Sequence, residues 1–458
     1  MSLIDRTDPR PIHFVGIAGA GMRALAELLA RRGAAVTGCD ASVADTGDLR
    51  TLDILVWEGH DPSHVEGARA VVVTSAVARH HPELERARVL GIPVIRRAEA
   101  LGEATAGREL VAVAGTHGKS TTTVMTTLAL AAAGSDPTAL VGARVSEWRG
   151  NLRAGGDALY VVEADEYDRS FLALSPSVAV VTNIEADHLD IYADLADIRG
   201  AFAQFVRDAR AIVISADVDQ ARTLALPDTA EVVRFGIRSP DARLTAADVA
   251  FVDGGARFEV RFDGRRLGAI ALRVPGLHNV QNALAALGAG LAEGRTVAEM
   301  APGLEAFRGV ERRFQRVGDA AGVVVVDDYA HHPTEIAASL AAARSAYPGR
   351  RVIAAFQPHL YSRTRDFAPA FARALSGADA IFLAEIYPAR EQPIPGVTAD
   401  LIAHALGAAG DRLAWRGARE ALAPALGAFV RSGDVVLTMG AGDVTKTGGE
   451  LVKLLEAR

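Results

Sequence analysis

The segment Ala114-Gly115-Thr116-His117-Gly118-Lys119-Ser120-Thr121 has the composition of a phosphate-binding loop. It follows an apolar run that predicts a strand and precedes a stretch that predicts a helix. In that setting, backbone N–H groups and the helix N-terminus converge on phosphate oxygens. Lys119 would reach the β- and γ-phosphates, and the Ser120 hydroxyl would bind Mg²⁺. The loop is shorter than the usual GxxxxGK[ST], because Val113 stands where the first glycine would be. This difference points away from ordinary GTPases and transport ATPases.

Lysine is rare in this chain, which makes Lys119 informative. The only other lysines are Lys446 and Lys453, among 49 lysine and arginine residues. A planar guanidinium does not replace a compact ammonium on a flexible stem. The retention of lysine at position 119 therefore indicates a specific requirement for that group.

Two acidic segments each follow a run that predicts a buried strand. The first, residues 163–168, carries four carboxylates in six residues, and the second, residues 182–190, sets His188 among three acids. Carboxylates this close together need a cation. A histidine among acids at a strand end also suits a divalent ion. Together with the phosphate loop, these segments predict a divalent-cation site.

The loop at residues 16–21 is similar to a dinucleotide-binding fingerprint but departs from it. Read as GxGxxG, its middle glycine is replaced by Ala18, where a cofactor pyrophosphate must approach the backbone closely. Asp40 follows the second predicted strand, at the place of a ribose-binding acid. The pattern disfavours a nicotinamide cofactor and favours another nucleotide diphosphate.

A third group of polar residues follows two later strands. Asp327, Asp328 and His331 come after one strand, and His359 and Arg363 come after the next. Open α/β sheets bind ligands at the carboxyl ends of their strands. These loops therefore predict a further site. His80 and His81 have no comparable polar residues beside them. We interpret this pair as the solvated start of a helix.

Short β-branched runs alternate with Ala- and Leu-rich stretches, which indicates an α/β fold with parallel sheets. Residues 230–275 instead predict antiparallel strands. The simplest division gives domains at 1–107, 108–312 and 313–458. Strands are predicted at 11–16, 34–39, 70–75, 110–114, 160–163, 178–182, 322–326, 351–356, 380–383 and 434–439, and helices at 21–32 and 275–294.

Composition narrows the class of protein. The chain has 458 residues, of which 50% are hydrophobic and 23% charged, so it can form sizeable cores. A net charge of -7 disfavours a general nucleic-acid coat. The single cysteine, Cys39, excludes an intramolecular disulfide framework and fits a reducing compartment. The polar N-terminus and the absence of a long apolar run predict a cytoplasmic protein with no membrane or nucleic-acid partner. Monomer and homodimer both remain open.

Read in order, the segments resemble the motifs of the Mur ligases over nearly the whole chain. After the loop at 16–21 they run GTHGKST, EADEYD, TNIEADHLDIY, PGLHNVQNAL, FRGVERRF, DDYAHHPTEI, FQPHLYSRT and GAGD. The resemblance implies an α/β fold of three domains. These would be a Rossmann-like UDP-sugar-binding domain, a central P-loop ATPase with a mixed sheet, and a C-terminal Rossmann-like domain that brings the amino acid.

Within the family, the chain is most similar to members that join L-alanine to the lactoyl carboxylate of UDP-N-acetylmuramate. That resemblance implies an acyl-phosphate intermediate, ATP and Mg²⁺ as cofactors, and a place in peptidoglycan precursor synthesis. The alternative is the recycling member that attaches the ready-made tripeptide L-Ala-γ-D-Glu-meso-diaminopimelate.

The resemblance also implies individual roles. UDP-sugar binding falls to Gly16, Ala18, Gly19, Ala20, Gly21, Met22, Asp40, Ser75 and Ala76, with His60 as a weaker candidate. ATP binding falls to Gly115, Thr116, His117, Gly118, Lys119, Ser120 and Thr121, with Asn279 and Asn282 at the adenine and Arg312 or Arg313 at the phosphates. Two Mg²⁺ ions would be held by Ser120, Glu163 and His188. Catalysis would involve Lys119 and His188, and His331, His359 and Arg363 would face the sugar carboxylate and L-alanine. Either His331 or Asp328 could take the amine proton.

The sequence departs from the family pattern at three points. Tyr167 stands where many relatives have serine, and the recycling member shares this substitution. The segment HLYSRT favours the alanine-adding member instead. Leu360 stands where some relatives carry arginine. No lysine lies between residues 120 and 445, so the carbamylated lysine that several relatives use for Mg²⁺ is excluded.

Overall fold

The computed structural model describes residues 3–5, 7–43, 46–74, 76–78, 80–389 and 391–458. In these residues the strands form three sheets, which confirms the α/β class. The chain divides into two compact units. The first contains residues 1–247, 259–270 and 281–306, and the second contains 248–258, 271–280 and 307–458. Across the described residues, no helix combines the length and the apolar character needed to cross a membrane. The domain boundaries at 107/108 and 312/313 remain a prediction.

The first sheet is parallel and has five strands. Its elements are β1 (Ile12–Val15), α1 (Ala20–Arg31), β2 (Val36–Asp40), α2 (Gly47–Arg50), β3 (Leu55–Glu58), β4 (Ala70–Val73), α3 (Pro82–Val89), β5 (Val94–Arg96) and α4 (Arg97–Thr105). The strand order is β3-β2-β1-β4-β5. The order reverses between β1 and β4, which is where open sheets bind ligands.

Helix α1 follows the glycine loop at this switch point and buries an apolar face. Met22, Leu25 and Leu29 recur at helical spacing and are buried. Gly16, at φ +83°, makes the turn that joins β1 to the helix. In the following α3, the interpretation of both histidines at 80–81 as solvated is wrong. The His80 side chain is 92% exposed, but that of His81 is only 13% exposed, because it packs against another ring.

The second sheet has ten strands. Its elements are β6 (Glu109–Ala114), α5 (Lys119–Ala132), β7 (Thr138–Val145), β8 (Gly150–Arg153), β9 (Leu159–Glu163), β10 (Val178–Val181), α6 (Leu195–Val206), β11 (Ala211–Ser215), α7 (Asp219–Arg222), β12 (Glu231–Gly236), β13 (Leu244–Val252), β14 (Gly255–Phe262), β15 (Arg265–Leu272), α8 (Leu277–Ala292) and α9 (Val297–Ala306). The order is β15-β14-β13-β12-β11-β10-β6-β9-β7-β8. Strand β8 is antiparallel to β7, whereas β6 is parallel to its neighbours, so the sheet is mixed as predicted.

Strand β6 is placed centrally between the strands that carry the two acidic segments. Val111 lies opposite Val161 of β9 on one side and Val178 of β10 on the other. This parallel register brings the phosphate loop and both acidic segments to the same edge of the sheet.

The prediction of antiparallel strands over 230–275 is wrong for β12, which pairs in parallel with β11 and β13. The apolar pattern of β12 fits parallel and antiparallel pairing equally well. A side chain from another segment favours the parallel arrangement. The Asp217 carboxylate, just after β11, accepts backbone N–H groups of Ile237, Arg238 and Ser239 just after β12. These bonds tie the carboxyl ends of the two strands together.

The third sheet has six strands. Its elements are β16 (Gln315–Ala320), β17 (Val323–Asp328), α10 (Pro333–Ala346), β18 (Arg351–Phe356), α11 (Tyr361–Leu375), β19 (Ala380–Ala384), α12 (Asp400–Ala405), β20 (Leu413–Gly417), α13 (Leu422–Phe429), β21 (Asp434–Met439) and α14 (Thr445–Glu456). The order is β16-β17-β21-β18-β19-β20, and only β16 runs antiparallel to its neighbour. Strands β17 and β18 are therefore separated by β21.

Helix α5, which the phosphate loop enters, is positioned by close packing against α9. A Cβ atom at Gly303 of α9 would lie 2.1 Å from the backbone oxygen of Leu128 in α5. The absence of a side chain at residue 303 thus lets the two helices approach.

We expect Gly303→Ala to lower the free energy of unfolding by about 1–3 kcal/mol, because the methyl group meets rigid backbone. The matched control is Gly200→Ala in α6, where a Cβ atom would meet nothing within 4 Å. That change should raise stability by about 0.5–1 kcal/mol through helix propensity. Urea denaturation followed by circular dichroism measures both. Equal effects of the two substitutions would contradict the packing role of Gly303.

Candidate active site

The phosphate loop between β6 and α5 depends on two glycines with positive φ. Gly115 has φ +140°, and a Cβ atom there would lie 2.0 Å from Thr182 Oγ1. Gly118 has φ +80°, and its Cβ atom would lie 2.5 Å from Asn282 Oδ1. Both approaches exclude a side chain, so these two glycines of the motif are required by shape as well as by backbone conformation.

The segment after β10 braces the loop. Asn183 Oδ1 accepts the His117 N–H at 2.8 Å, and Asn183 Nδ2 donates to the His117 carbonyl at 3.0 Å. Thr182 Oγ1 donates to the same carbonyl at 2.6 Å. Both residues belong to the second acidic segment, but the sequence pattern did not indicate this role. Their position directly before the acids was the available signal.

Lys119 lies at the centre of the site and pairs with Glu166. Its Nζ is 2.8 and 3.0 Å from the two Glu166 carboxylate oxygens and 2.7 Å from the Gly115 carbonyl oxygen. Burial opposes the charge on Lys119, but Glu166 and Asp165 outweigh it and raise the pKa of the ammonium. Burial likewise opposes ionisation of Glu166, yet Lys119 and His188 hold its pKa below the usual value. The pair is therefore charged, and the sequence had not identified it.

The three predicted metal ligands fall into two groups. Ser120 Oγ donates to Glu163 Oε1 at 3.0 Å, and the Gly142 N–H donates to Glu163 Oε2 at 2.6 Å. Burial raises the pKa of Glu163. The charge of Lys119 offsets part of this effect, and both hydrogen-bond donors are neutral, so a divalent cation would add further positive charge beside the carboxylate. A hydroxyl and a carboxylate beside a phosphate loop are also ligands that suit Mg²⁺.

His188 lies with Glu166 instead. Its Nε2 is 3.6 Å from Glu166 Oε1 and 3.8 Å from Asp187 Oδ2. Burial lowers the pKa of the imidazole, but the hydrogen bond with Glu166 and the charge of Asp187 outweigh it and raise the pKa. The backbone of His188 is at φ +53°, an uncommon conformation that accompanies functional sites.

The glycine loop after β1 lines a cavity of about 380 Å³. Its lining includes residues 19–22, with Thr74 and Ala76 after β4. It also includes residues 140–142, Val162, Glu163 and Asp165. A nucleotide loop and the carboxylates of the phosphate site thus face one cavity. Among the predicted residues, Ser75 lies outside the described part of the chain.

Arg97, at the start of α4, contributes a cation to this cavity that sequence reasoning missed. Its guanidinium packs so closely on Gly21 that a Cβ atom there would lie 3.0 Å from Nη1. The other predicted residues support the loop. Gly16 N–H donates to the Cys39 carbonyl at 2.8 Å, and Ala18 N–H donates to Asp40 Oδ2 at 2.9 Å.

His60 also lies close to the second strand. Its Nδ1 is 3.3 Å from Cys39 Sγ.

In the second unit, His331, His359 and Arg363 come together although β21 separates their strands. The two imidazole centroids are 6.1 Å apart, and Arg363 Nη1 is 3.5 Å from His359 Nδ1. Arg363 is 6% exposed on the first turn of α11. Leu360, which precedes that helix, has φ +70° and is buried. This group, the His331 cluster (His331, His359 and Arg363), presents a cation and two imidazoles.

Asp328 is held by backbone and hydroxyl donors. It accepts the N–H groups of Phe314 and Ala330 and the hydroxyl of Ser339. Burial raises its pKa to about 6. Both of its oxygens are therefore engaged within the fold.

The two arginines predicted at the phosphates flank one aromatic ring. The guanidinium carbons of Arg312 and Arg313 lie 4.8 and 5.1 Å from the Tyr329 centroid. Arg312 also bonds Asp327 and the Gly440 carbonyl.

The two predicted adenine residues have different surroundings. Asn282 accepts the Thr122 hydroxyl at 3.2 Å beside the phosphate loop. Asn279 donates to the Pro275 carbonyl at 2.7 Å within the second unit.

The Lys119–Glu166 pair predicts a specific pattern of stability. Glu166→Gln should cost about 3–5 kcal/mol, because it leaves a buried ammonium without its counter-charge. The double variant Lys119→Met/Glu166→Leu should be more stable than Glu166→Gln alone, since it removes both charges. The denaturant concentrations at the midpoint of unfolding of the parent and of these variants give the comparison. Glu231→Gln, which changes an exposed carboxylate on β12, serves as the control and should be nearly neutral. A double variant no more stable than Glu166→Gln would argue against the pairing.

Comparisons with known proteins agree over nearly the whole chain. Residues 11–109 match the Mur ligase family catalytic domain, 113–290 the Mur ligase middle domain, and 312–442 the Mur ligase glutamate ligase domain. The UDP-N-acetylmuramate–L-alanine ligase of Burkholderia cenocepacia is 43% identical over 98% of both chains. That of Acidothermus cellulolyticus is 45% identical over 94% of this chain and 91% of the relative.

Comparison with solved structures identifies the same family of proteins. UDP-N-acetylmuramate-alanine ligase of Thermotoga maritima superposes with a TM-score of 0.82 at 30% identity, covering 98% of this chain and 99% of that one. A murein peptide ligase of Psychrobacter arcticus gives a TM-score of 0.72 at 26% identity, with the same coverage of 98% and 99%. On this similarity in sequence and fold over nearly its full length, the chain belongs to the Mur ligase family.

Proposed function

We propose that this chain joins L-alanine to the lactoyl carboxylate of UDP-N-acetylmuramate at the expense of ATP, in peptidoglycan precursor synthesis. The observation that carries the proposal is the single cavity lined by both the glycine loop of the first sheet and the carboxylates of the phosphate site. A sugar nucleotide bound to the loop would bring its acid group to the phosphate site, where Mg²⁺ would offset repulsion by Glu163 and Asp165. Relatives at 43–45% identity with this named activity support the choice of substrate.

The sugar nucleotide would bind along the glycine loop. Gly19, Ala20 and Gly21 at the N-terminus of α1 would present backbone N–H groups to the pyrophosphate. The guanidinium of Arg97 beside Gly21 would pair with the same charge. Asp40, Ala76 and His60 are proposed at the nucleoside.

ATP would bind at the phosphate loop. Lys119 would exchange part of its contact with Glu166 for the γ-phosphate, since an ammonium is a mobile point charge. Mg²⁺ held by Ser120 and Glu163, with His188 nearby, would neutralise charge on the phosphate oxygens. By resemblance to the family, Asn279 and Asn282 are proposed at the adenine. Arg312 or Arg313 is proposed at the nucleotide phosphates.

The reaction would proceed in two steps. The lactoyl carboxylate oxygen attacks the γ-phosphorus, the bond to the β,γ-bridging oxygen breaks, and ADP leaves. The neutral amine of L-alanine then attacks the acyl carbon, and inorganic phosphate leaves with the bonding electrons. Lys119 stabilises charge on the transferring phosphoryl group.

The His331 cluster is proposed to receive L-alanine. Arg363 would pair with the amino-acid carboxylate. His331 is favoured over Asp328 as acceptor of the amine proton, because both Asp328 oxygens already accept hydrogen bonds.

The decisive assay is phosphate release from ATP by the full chain with UDP-N-acetylmuramate and a panel of acceptors. We expect turnover with L-alanine and little with the tripeptide L-Ala-γ-D-Glu-meso-diaminopimelate. Omission of Mg²⁺ should abolish it. Preference for the tripeptide would assign the recycling activity instead, and release that is independent of the sugar nucleotide would contradict a ligase of this class.

Arg363→Ala should lower kcat/KM for L-alanine, because the substrate carboxylate would lose a charged donor. The expected rise in activation free energy is about 2–4 kcal/mol. The KM values for UDP-N-acetylmuramate and ATP should change much less. Arg365→Ala, two residues further along α11, removes an exposed arginine paired with Asp366 and serves as the control. Steady-state kinetics with each substrate varied give the comparison. Unchanged kcat and unchanged KM for L-alanine in Arg363→Ala would place the amino-acid site elsewhere.

A further inference from the structure

Four metal-ligand side chains converge inside the first sheet, apart from the residues assigned to the reaction. His13 lies on β1, Cys39 on β2, His64 in the turn of helix after β3, and Glu83 in the first turn of α3. One ligand atom from each lies within 4.8 Å of those of the others. These four residues are called the Glu83 cluster.

The cluster is centred on a carboxylate with no exposed surface. Glu83 Oε1 is 2.8 Å from His64 Nδ1 and 4.0 Å from His13 Nε2. Glu83 Oε2 accepts the thiol of Cys39 at 3.0 Å. Packing a carboxylate, a thiol and two imidazoles together away from water is costly unless they share a proton or a cation.

His13 supplies an independent sign of a ligand. The side chain is fully buried, and its Nδ1 bonds Thr37 Oγ1 at 3.0 Å. Its other nitrogen, Nε2, is buried on the Glu83 side and has no hydrogen-bond partner among the described residues. Histidines that bind metals are oriented in this way, with one ring nitrogen held by a neighbour and the other directed at the ion.

We propose that His13, Cys39, His64 and Glu83 bind one divalent transition-metal ion of the zinc type. Mixed imidazole, thiolate and carboxylate ligands favour Zn²⁺ over Mg²⁺ or Ca²⁺, which prefer oxygen alone. With metal–ligand bonds of about 2.0–2.3 Å, tetrahedral binding would hold the ligand atoms about 3.3–3.8 Å apart. The widest pairs would therefore close, and the hydrogen-bonded pairs of Glu83 with His64 and Cys39 would open slightly. As the sulfur–metal bond forms, the S–H bond of Cys39 breaks and its proton passes to solvent.

Two further histidines border the cluster on its more exposed side. The rings of His60 and His81 are 4.5 Å apart, and their Nδ1 atoms lie 3.4 and 3.7 Å from Glu83 Oε2. The His60 side chain is 28% exposed, whereas that of His13 is fully buried. An ion would therefore reach the cluster past these two imidazoles.

A metal ion here would brace the glycine loop. The Cys39 carbonyl accepts the N–H groups of Gly16 at 2.8 Å and Ile17 at 3.0 Å. Fixing the Cys39 side chain would thus fix the strand that holds the loop. The site itself does not rest on the proposed function.

Cobalt(II) is the probe of choice, because the chain has one cysteine. Any thiolate-to-cobalt charge-transfer absorption must then come from Cys39. We expect the full-length, chelator-treated protein to take up one equivalent of Co²⁺ with this band and with tetrahedral visible absorption. Zn²⁺ should displace it, and millimolar Mg²⁺ should not. Zn²⁺ should also raise the Tm.

Variants of the proposed ligands can be compared with a variant of a nearby residue that is not a ligand. Cys39→Ser should remove the charge-transfer band, and His64→Ala should weaken Zn²⁺ binding at least about 10-fold. His80→Ala, which changes an exposed side chain in the same region, should leave both properties unchanged. Circular dichroism checks that each variant is folded.

The proposal is overturned if the unaltered protein shows no charge-transfer band at stoichiometric Co²⁺, or if His64→Ala binds Zn²⁺ as tightly as the parent. In either case the four side chains form only a hydrogen-bonded core cluster. The measurements use neither ATP nor sugar nucleotide, so they succeed or fail independently of the ligase assay.

Discussion

The buried ammonium of Lys119 is the charge on which the arrangement of the catalytic centre depends. It lies among backbone carbonyls at the edge of β6, where burial alone would disfavour its protonation. Glu166 offsets that cost, and His188 lies against the same carboxylate. Loss of one charge from this group would leave the others poorly compensated, so the two acidic segments are energetically tied to the phosphate loop. A bound nucleotide would enter this balance by competing for Lys119.

The parallel strands of the second sheet position the residues around Lys119. Because β9 and β10 flank β6 in matched register, their carboxyl ends deliver Glu163 on one side and Thr182 with Asn183 on the other. Thr182 and Asn183 shape the loop, while Glu163 faces the cavity that the glycine loop also lines. The proposed transfer of a phosphoryl group to the sugar acid follows from this shared cavity. The His331 cluster is proposed to receive L-alanine, whose amine is the attacking group.

The first sheet shows how a fold can carry a second, separate chemistry. Its switch point serves the proposed sugar nucleotide, while β1, β2 and α3 also bring His13, Cys39 and Glu83 together. These residues are far apart in sequence and fit no short metal-binding motif. The link between the two sites is the Cys39 backbone, which accepts hydrogen bonds from the glycine loop.

The amino-acid sequence alone was enough to predict the α/β class, most strand positions and the chemical groups at the ends of the strands. These features follow from local patterns, because a β-branched run followed by a glycine-rich or acidic turn spans only a few residues. Which of these groups contact one another became evident only in the folded chain. It paired Lys119 with Glu166, while Glu163 took Ser120. It also brought His331 to His359 across an intervening strand. Strand order and side-chain bonds between distant segments set these distances, and the local periodicity of a chain does not encode them.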